Sequence, residues 1–290
     1  MDIQIVATDV DGTLLNAKHD LPQENLEVIK EIKKAGKHVI IATGRPPLEL
    51  DNLLEQIGIP IPVICANGAV ILDEEKKEIA KDCLSTNEVR SAINLLERNG
   101  FYQEIYTSKG NFIKDFRDPK HENQMLKIML ETHPGDTLEG LIAYLNERVE
   151  RGSLHLVDDY EEFLTREDIE YYKIFGLNSD DDIIKRVWSV VEKELGLAAT
   201  SSWLNNIEIN TRTASKGNAL LTYAKKMGYK PEQTMAIGDY FNDLPMLEKA
   251  GFSIAMGNAH DSIKEKCDYV TGSNNEGGWS SAIRKFMLEK

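Results

Sequence analysis

The sequence predicts an α/β protein in which a doubly wound parallel sheet carries an inserted α+β domain. Short apolar runs alternate with amphipathic stretches over the first third of the 290 residues, and the same alternation returns in the last third. The middle, residues 85–204, is richer in Tyr- and Phe-containing strand candidates. Alternation of strands and helices favours parallel pairing with right-handed crossovers, and a chain of this length is long enough for two domains.

In the first third, three apolar runs are predicted as strands and two amphipathic runs as helices. The strands are IQIVATD, HVIIATG and PVICANG, and the helices are QENLEVIKEIKKAG and PPLELDNLLEQIG. Leu26, Ile29 and Ile32 lie near one face of the first helix, which we expect to stop at Gly36. All three strands end in polar residues or glycine. The carboxyl ends of parallel strands are the place where such sheets bind their ligands.

The remaining elements divide the chain into a core and an insertion. The last third predicts strands TMAIGD, FSIAMGN and DYVTG and helices SKGNALLTYAKKMG, DLPMLEKAG and WSSAIRKFMLEK. The middle predicts strands YQEIYTS, NFIKDF, SLHLVDD, EYYKIFGL and NNIEINT among helices such as EVRSAINLLERNG and DIIKRVWSVVEKELG. An antiparallel sheet is the expected core of this part. We therefore predict one domain over 1–84 and 205–290 and a second over 85–204.

Composition argues against several classes of protein. The net charge is −14, from 34 basic and 48 acidic residues, so a nucleic-acid surface is not expected. Cys65, Cys83 and Cys267 have no CxxC spacing, which argues against a zinc site and a disulfide framework. No basic leader is visible, and no apolar run approaches the roughly 20 residues of a membrane helix. We expect a cytoplasmic protein without a membrane partner.

The stretch DVDGT places two carboxylates two residues apart where the first strand ends. In an extended chain Asp9 and Asp11 share a face, and they would repel each other unless a cation joins them. A turn explains an isolated Asp-Gly pair. The functional alternative is a nucleophile, Asp9, that attacks phosphorus beside an acid/base, Asp11. The Thr13 hydroxyl would then bond a phosphate oxygen or orient Asp9.

Two other motifs are suited to binding phosphate. In ATGRP, the Thr43 hydroxyl and the N–H groups near Gly44 come just before a helix, a place that favours phosphate, although helix capping explains them as well. Arg45 fits either a substrate contact or a solvated surface. Lys216 is poorly placed for the dipole of the helix that it begins. It would be well placed to neutralise a phosphate and the Asp9 carboxylate.

The motif IGDYFNDLPML supplies a candidate metal ligand. Asp239 ends a strand, and Mg²⁺ prefers carboxylate and water oxygens that it shares with substrate phosphate. Asn242 and Asp243 follow where a helix begins, and an acidic residue there is also favoured by the helix dipole. A magnesium ion between Asp9 and Asp239 would be the cation that the paired carboxylates require.

With these motifs in chain order, the sequence resembles the haloacid dehalogenase superfamily, and most of all its Cof-type phosphatases. The matching stretches are DVDGTLL, ATGR, ANGA, INTRTASKGNAL, GDYFNDLPML and AMGNA. Proteins of this type carry a large α+β cap between their second and third motifs. The resemblance therefore implies a Rossmann-like catalytic core and a cap that selects the substrate.

The resemblance also implies roles for individual residues. Asp9 would be the nucleophile and Asp11 the general acid/base. Mg²⁺ would be held by the Asp9 carboxylate, the Asp11 main-chain oxygen and the Asp239 carboxylate. The implied phosphate contacts are Thr43, Gly44, Lys216 and Asn242.

Two further positions are implied to have supporting roles. Asp243 would support the metal through water or position Lys216, and Asn67 would lie on the loop that faces the cap. The chain departs from its relatives at Gly278-Trp279, where they usually have Gly-Val. Because these residues lie outside the motifs, we expect the change to affect local packing only.

The implied activity is Mg²⁺-dependent hydrolysis of small phosphorylated metabolites, sugar phosphates foremost, through an aspartyl-phosphate. One alternative is a phosphomutase of the phosphomannomutase kind, which would need a basic cap to hold a second phosphate. Residues 85–204 have 14 Lys or Arg and 23 Asp or Glu, a balance that argues against it. The other alternative is a non-catalytic phospho-ligand sensor, which the reactive residues in all four motifs argue against. We expect a monomer or weak homo-oligomer.

Overall fold

The chain forms two compact units in the computed structural model, which describes residues 2–133 and 135–289. The core unit comprises Met1–Arg45, Leu50–Lys81 and Ala214–Lys290. The cap unit comprises Pro46–Glu49 and Asp82–Thr213. The strands in chain order are β1 (Ile5–Thr8), β2 (His38–Ala42), β3 (Val63–Cys65), β4 (Val70–Leu72), β5 (Glu78–Lys81), β6 (Tyr102–Thr107), β7 (Gly110–Lys114), β8 (Leu154–Val157), β9 (Tyr171–Leu177), β10 (Ala198–Thr200), β11 (Asn206–Asn210), β12 (Thr234–Gly238), β13 (Phe252–Ala255) and β14 (Tyr269–Val270).

Helices alternate with strands along the chain in the core unit. In the cap unit, helices lie between the strands along the chain. They are α1 (Gln23–Lys34), α2 (Asp51–Ile57), α3 (Thr86–Arg98), α4 (Pro119–Thr132), α5 (Leu138–Glu150), α6 (Tyr160–Phe163), α7 (Asp181–Lys193), α8 (Lys216–Lys226), α9 (Leu244–Lys249), α10 (Asp261–Lys264) and α11 (Gly278–Ile283).

The core unit is built on one sheet with the strand order β14-β13-β12-β1-β2-β3-β4-β5. Pairing is parallel from β14 to β3, and β4 and β5 are antiparallel additions at one edge. The order reverses at β1, whose neighbours are β2 on one side and β12 on the other. Ligands bind at such a switch point, beyond the carboxyl ends of the strands. The predicted Rossmann-like α/β core is confirmed, and the β4–β5 hairpin is an addition that the apolar runs did not indicate.

The core strands are nearly continuous runs of apolar residues, because both faces of the sheet are covered. All four residues of β1 are buried. On α1, Val28, Ile29 and Ile32 form the buried face, and the helix ends where Gly36 takes a positive φ of 72°, a conformation that glycine adopts at little cost. The start of the chain is thus fixed in the middle of the sheet, and the residues after β1 are held at the switch point.

Trp279 on α11 contributes more than local packing. Its side chain is fully buried, and its indole Nε1 donates a hydrogen bond to the Thr8 hydroxyl at 2.8 Å. The same hydroxyl donates to the backbone oxygen of Asp9 at 2.8 Å. We expected Gly278-Trp279 to affect local packing only. The indole also holds Thr8, the residue that precedes Asp9, by a hydrogen bond.

The cap unit contains a second sheet with the order β10-β11-β9-β6-β7-β8. Its pairs are antiparallel except for β7 with β8, which run parallel. Because β11 pairs with β9 and β10, residues 205–213 lie with the cap unit, and the boundary falls at 213/214 instead of 204/205. At the other boundary the cap unit begins at Asp82 instead of residue 85.

The segment before α2 also differs from the prediction of a helix over PPLELDNLLEQIG. Pro47–Glu49 form a single 3-10 turn, and α2 begins only at Asp51. The four residues Pro46–Glu49 belong to the cap unit, although Arg45 before them and Leu50 after them belong to the core unit. Within residues 2–133 and 135–289, no helix is long and apolar enough to cross a membrane.

Candidate active site

Asp9 lies directly beyond β1 and pairs with a buried lysine. Lys216 Nζ donates to Asp9 Oδ1 at 2.6 Å and to Asp243 Oδ1 at 2.6 Å. The lysine side chain has no exposed surface, and both carboxylates are buried. The Asp9 N–H donates to the Ile237 carbonyl at 3.0 Å, so the pairing between β1 and β12 continues past the end of the strand. Asp9 is therefore held beside the end of β12, where Asp239 follows.

The start of α8 determines where the lysine enters this site. Ser215 caps the helix by accepting a hydrogen bond from the Asn218 N–H at 3.1 Å. Gly217 packs against the chain at Pro245, because a Cβ at this position would lie 2.0 Å from the Pro245 carbonyl oxygen. A larger residue at Gly217 would push α8 away from α9, so this glycine allows Lys216 to reach the carboxylates.

Asp243 and Asp239 form the opposite side of the cluster. Asp243 Oδ2 accepts hydrogen bonds from the N–H groups of Asp239 and Tyr240, at 2.9 and 3.2 Å. The Thr13 hydroxyl donates to Asp239 Oδ1 at 3.0 Å, so it contacts Asp239 instead of Asp9. Of the two alternatives for Asp243, direct contact with Lys216 is the one that the structure displays.

Gly12 allows the turn after β1 to pass close to Asp239. Its φ is 80°, and a Cβ at this position would lie 2.4 Å from Asp239 Oδ2. Any side chain would therefore combine backbone strain with a collision against the carboxylate. The glycine brings the residues Val10–Leu14 and the end of β12 into one site.

The cluster contains more negative than positive charge. Oxygen atoms of Asp9, Asp239 and Asp243 lie within 4.8 Å of one another. Burial, and next the charge of Asp243, raise the pKa of Asp9 well above its ordinary value and raise the pKa of Asp239 to about 7. Burial opposes the charge of Lys216, but Asp243 and Asp9 outweigh it and raise the lysine's pKa. A divalent cation with oxygen ligands would suit this donor set.

The stability of the protein in EDTA is expected to fall as pH rises from about 5 to about 7. Folded Asp239 keeps its proton up to a pKa of about 7, whereas an unfolded aspartate loses it near about 3.9. Between these values the folded state binds more protons, so stability decreases with rising pH. Thermal unfolding in EDTA at a series of pH values measures this. Asp239→Asn should flatten the slope, and an unchanged slope in that variant would contradict the explanation.

The second motif forms a loop tied to its neighbours by backbone bonds. The Thr43 N–H donates to the Ile64 carbonyl at 2.8 Å, and the Thr43 carbonyl accepts from the Asn67 N–H at 3.0 Å. The Thr43 hydroxyl accepts from the Arg45 N–H at 3.1 Å, a local turn contact of the kind that capping predicts. Gly44 lies between these two residues. The loop is thereby fixed directly after β2.

Asn67 and Asn242 meet in the same region of the core unit. Both are buried, and the Asn242 Nδ2 lies 3.5 Å from the Asn67 Oδ1. Asn67 has a φ of 61°, a left-handed conformation that asparagine tolerates better than most residues. The structure therefore brings the loops after β3 and β12 together.

Asp11 has a different cationic partner from Asp9. Arg45 donates from Nε to Asp11 Oδ2 at 2.9 Å and from Nη2 to Asp11 Oδ1 at 2.5 Å, a bidentate pair. His19 Nδ1 lies 3.2 Å from Asp11 Oδ1. Burial favours a higher pKa for Asp11, but the hydrogen bonds and charge of Arg45, followed by His19, lower it. Two side chains, Lys216 and Arg45, thus relieve the repulsion that the sequence predicted between the carboxylates.

His19 is a candidate functional residue that the motifs did not single out, and Arg45 is one to which they gave no definite role. The sequence left Arg45 open between a substrate contact and a solvated position. His19 follows no motif and reaches Asp11 from a left-handed conformation, with a φ of 60°. Two backbone N–H groups, of Lys18 and Asp20, donate to the Asn16 side chain at 2.9 and 3.0 Å and shape this turn. The sequence signal that could have indicated this turn is Asn16, because an asparagine side chain often bonds to the backbone of the turn that follows it.

A parallel core sheet with a carboxylate–lysine cluster at its switch point is typical of a hydrolase in which a carboxylate acts as the nucleophile. The comparison with protein families agrees, because the model of the haloacid dehalogenase-like hydrolases matches residues 6–283. The chain belongs to this family. Within it, the chain is a phosphatase of the Cof type, as the motifs predicted.

Curated relatives and solved structures cover nearly the whole chain. The phosphatase YwpJ of Bacillus subtilis is 32% identical over 290 residues, which are 98% of this chain and 100% of that protein. A second B. subtilis protein, the 5-amino-6-(5-phospho-D-ribitylamino)uracil phosphatase YwtE, is 33% identical over 286 residues, with 98% of each chain covered. The solved structure of a haloacid dehalogenase-like hydrolase from B. subtilis superposes with a TM-score of 0.83 at 30% identity, covering 99% of this chain and 100% of that one.

Proposed function

We propose that the protein hydrolyses phosphate monoesters of small sugar- or polyol-like metabolites, through an aspartyl-phosphate on Asp9 and with Mg²⁺. The observation that carries this proposal is the pairing of buried Asp9 with Lys216 at 2.6 Å, beside two further carboxylates. A buried carboxylate at a strand end, next to a fixed ammonium group, is suited to attack an anionic phosphoryl group without repelling it.

In the first step, the Asp9 carboxylate attacks phosphorus in line with the leaving oxygen. A bond forms between Asp9 and phosphorus, and the bond from phosphorus to the ester oxygen breaks. Asp11 gives that oxygen a proton, and it must do so from its protonated form, which the contact with Arg45 disfavours. Lys216 balances negative charge on the phosphoryl oxygens. In the second step, Asp11 takes a proton from water as the water oxygen attacks phosphorus, which releases phosphate and restores Asp9.

Four residues are proposed to contact the phosphoryl group. They are Thr43, Gly44, Lys216 and Asn242. The Thr43 hydroxyl accepts from the Arg45 N–H, so its own proton can be donated to a phosphoryl oxygen. Asn67 and Asp243 support this set, the first beside Asn242 and the second through Lys216.

The donor set fits a magnesium ion. Asp9 and Asp239 would hold the ion with their carboxylates, and Asp11 with its backbone oxygen. When bound, it supplies the positive charge that this group of buried carboxylates lacks. The raised pKa values of Asp9 and Asp239 support the same conclusion, since a cation at this place would favour both carboxylates in their ionised form.

The cap unit is proposed to select the alcohol part of the substrate. The relative YwtE is named for a substrate with a phosphate on a ribityl chain, which is an alkyl phosphate of a polyol. Sugar phosphates share that chemistry, because their phosphate is also esterified to an alcohol carbon beside further hydroxyl groups. This supports polyol and sugar phosphates as the first substrates to test.

A substrate screen tests the proposed function. The panel is 5-amino-6-(5-phospho-D-ribitylamino)uracil, hexose and pentose phosphates, pyridoxal phosphate, nucleotides and p-nitrophenyl phosphate. Phosphate release is measured with Mg²⁺ and with EDTA. We expect release from polyol or sugar phosphates with Mg²⁺ and a loss of at least about 100-fold in EDTA. No release from any ester would contradict the proposal, and stimulation by glucose 1,6-bisphosphate with little phosphate released would identify a mutase instead.

A further inference from the structure

Two side chains of the core unit form a chain of hydrogen bonds that ends at the backbone of Asp9. The Trp279 indole Nε1 donates to the Thr8 hydroxyl at 2.8 Å, and this hydroxyl donates to the Asp9 carbonyl oxygen at 2.8 Å. All three residues belong to the core unit. We call the side chains of Trp279 and Thr8 the brace.

The chemistry of the brace fixes the direction of its hydrogen bonds. An indole N–H can only donate, so the Thr8 oxygen must accept from it. A hydroxyl has a single proton, and the proton of Thr8 is thereby left for the Asp9 carbonyl. Hydrogen bonds in series polarise and strengthen one another where water is absent, and neither member of the brace has exposed surface. The indole therefore acts on Asp9 through the hydroxyl.

Trp279 is itself held in place at the start of α11. The Thr271 hydroxyl donates to the Gly278 carbonyl at 2.7 Å, and the Gly278 N–H donates to the Ser273 carbonyl at 3.0 Å. These bonds tie the residue before Trp279 to the segment that follows β14. Because the interior around a buried side chain is closely packed, the indole is a fixed reference point for the Thr8 hydroxyl.

The bond from Thr8 holds one of the two peptide planes that flank the Asp9 Cα. The other plane is held by the neighbouring strand, since the Asp9 N–H donates to the Ile237 carbonyl at 3.0 Å. Peptide units are planar, so the orientation of a residue depends on the two planes beside its Cα. The brace and β12 together therefore set the direction in which the Asp9 side chain leaves the backbone.

We propose that Trp279 and Thr8 are positioning residues that orient the Asp9 carboxylate for in-line attack on phosphorus. This proposal rests on the nucleophilic role of Asp9 in the proposed function. Reacting atoms must lie about 3–3.5 Å apart and in line, so a misplacement of about 1 Å can cost about 100-fold in rate. The proposed phosphate contacts lie outside the brace. Loss of the brace should therefore slow the attack and leave phosphate binding unchanged.

Three variants test the brace step by step. Trp279→Phe removes the N–H but leaves the Thr8 hydroxyl, and we expect kcat/KM to fall about 5-fold. Thr8→Val keeps the shape of threonine without the hydroxyl and should cost about 30-fold, which is part of the 100-fold that misplacement can cost. Thr8→Ser restores the hydroxyl and should stay within about 2-fold of the unaltered protein. The matched control is Ile283→Val, which removes a buried methyl group from the same helix and should leave kcat/KM unchanged.

Three readouts separate positioning from a loss of stability. The inhibition constant of inorganic phosphate should stay within about 2-fold in every variant, because binding is not affected. The loss in kcat/KM should be the same at about 15 °C and about 30 °C, whereas a loss through partial unfolding would shrink as the folded state gains stability on cooling. The NMR signal of the indole N–H, assigned by its disappearance in Trp279→Phe, should shift in Thr8→Val but not in Ile283→Val.

A double variant tests whether the two side chains act in series. Thr8→Val combined with Trp279→Phe should lose no more activity than Thr8→Val alone, because the indole acts through the hydroxyl. Losses that multiply would overturn the proposal, and so would weaker phosphate binding in step with the fall in kcat/KM. Thermal unfolding verifies that each variant is folded in the assay. If one of the two single variants does not fold, the other provides the comparison with Ile283→Val.

The Asp9→Asn variant separates failure of the brace from failure of the function. If Asp9→Asn keeps the activity of the unaltered protein, the nucleophilic role is wrong and the brace is wrong with it. If Asp9→Asn is inactive but Thr8→Val and Trp279→Phe behave like Ile283→Val, the brace alone is wrong.

Discussion

Asp9→Asn is expected to reduce phosphate release by at least about 10⁴-fold while the protein stays folded. An amide does not attack phosphorus, so the first step of the reaction is lost. The amide has the size of the carboxylate, and its oxygen can still accept the hydrogen bond that Lys216 donates. Because one of three clustered carboxylates is replaced by a neutral group, the stability of the protein in EDTA should not fall. Phosphate release and thermal unfolding measure the two expectations.

The control for this variant is Asp158→Asn, which makes the same change at an exposed position of the cap unit. It should retain full activity and full stability. If Asp9→Asn kept a tenth of the activity or more, Asp9 would not be the nucleophile, and the proposed aspartyl-phosphate would be excluded with it.

Lys216→Met is expected to impair both stability and activity. The side chain is fully buried, and its ammonium group lies 2.6 Å from oxygen atoms of Asp9 and Asp243. Methionine keeps the length and flexibility of the side chain but leaves the buried carboxylates without their cation. Removal of one partner from a buried ion pair typically costs about 3–5 kcal/mol. The loss of a fixed charge beside the phosphoryl group should lower kcat by about 10²–10³.

Denaturant unfolding in EDTA and in Mg²⁺ separates the two effects. A divalent ion should restore part of the stability of Lys216→Met, since it replaces some of the missing positive charge, but not the rate. Lys225→Met, on the exposed side of the same helix, is the matched control and should change neither quantity. Unfolding of Lys216→Met at the same denaturant concentration as this control would contradict the electrostatic account of the cluster.

The sequence was sufficient to predict the core because its strands are buried on both faces and end in polar residues. Apolar runs that stop at Asp9, Thr43 and Asp239 identified both the elements and the edge of the sheet at which they meet. Lys216 was detectable because a lysine opposes the dipole at the start of a helix. Each of these signals is local, so a single sequence reveals it.

The features that were missed depend on contacts between distant residues. Glu49 was predicted inside the helix PPLELDNLLEQIG, but its partner Arg148 is 99 residues away. Arg45 has no periodicity to show that it pairs with Asp11. The last strand of the cap unit, β11, was placed at a domain boundary because only its pairing with β9 shows which sheet it joins. Tertiary pairing of this kind overrides local propensity.

The hydrogen bond from Trp279 to Thr8 has a consequence for how the protein is made. The two residues are 271 positions apart, and Asp9 is 207 positions from the ammonium group that it meets. Synthesis must therefore continue at least through Lys216 before the nucleophile has its cationic neighbour, and through Trp279 before Thr8 has its hydrogen-bond donor. Truncated translation products, even those that include a complete cap unit, should be chemically inert towards cellular phosphate esters.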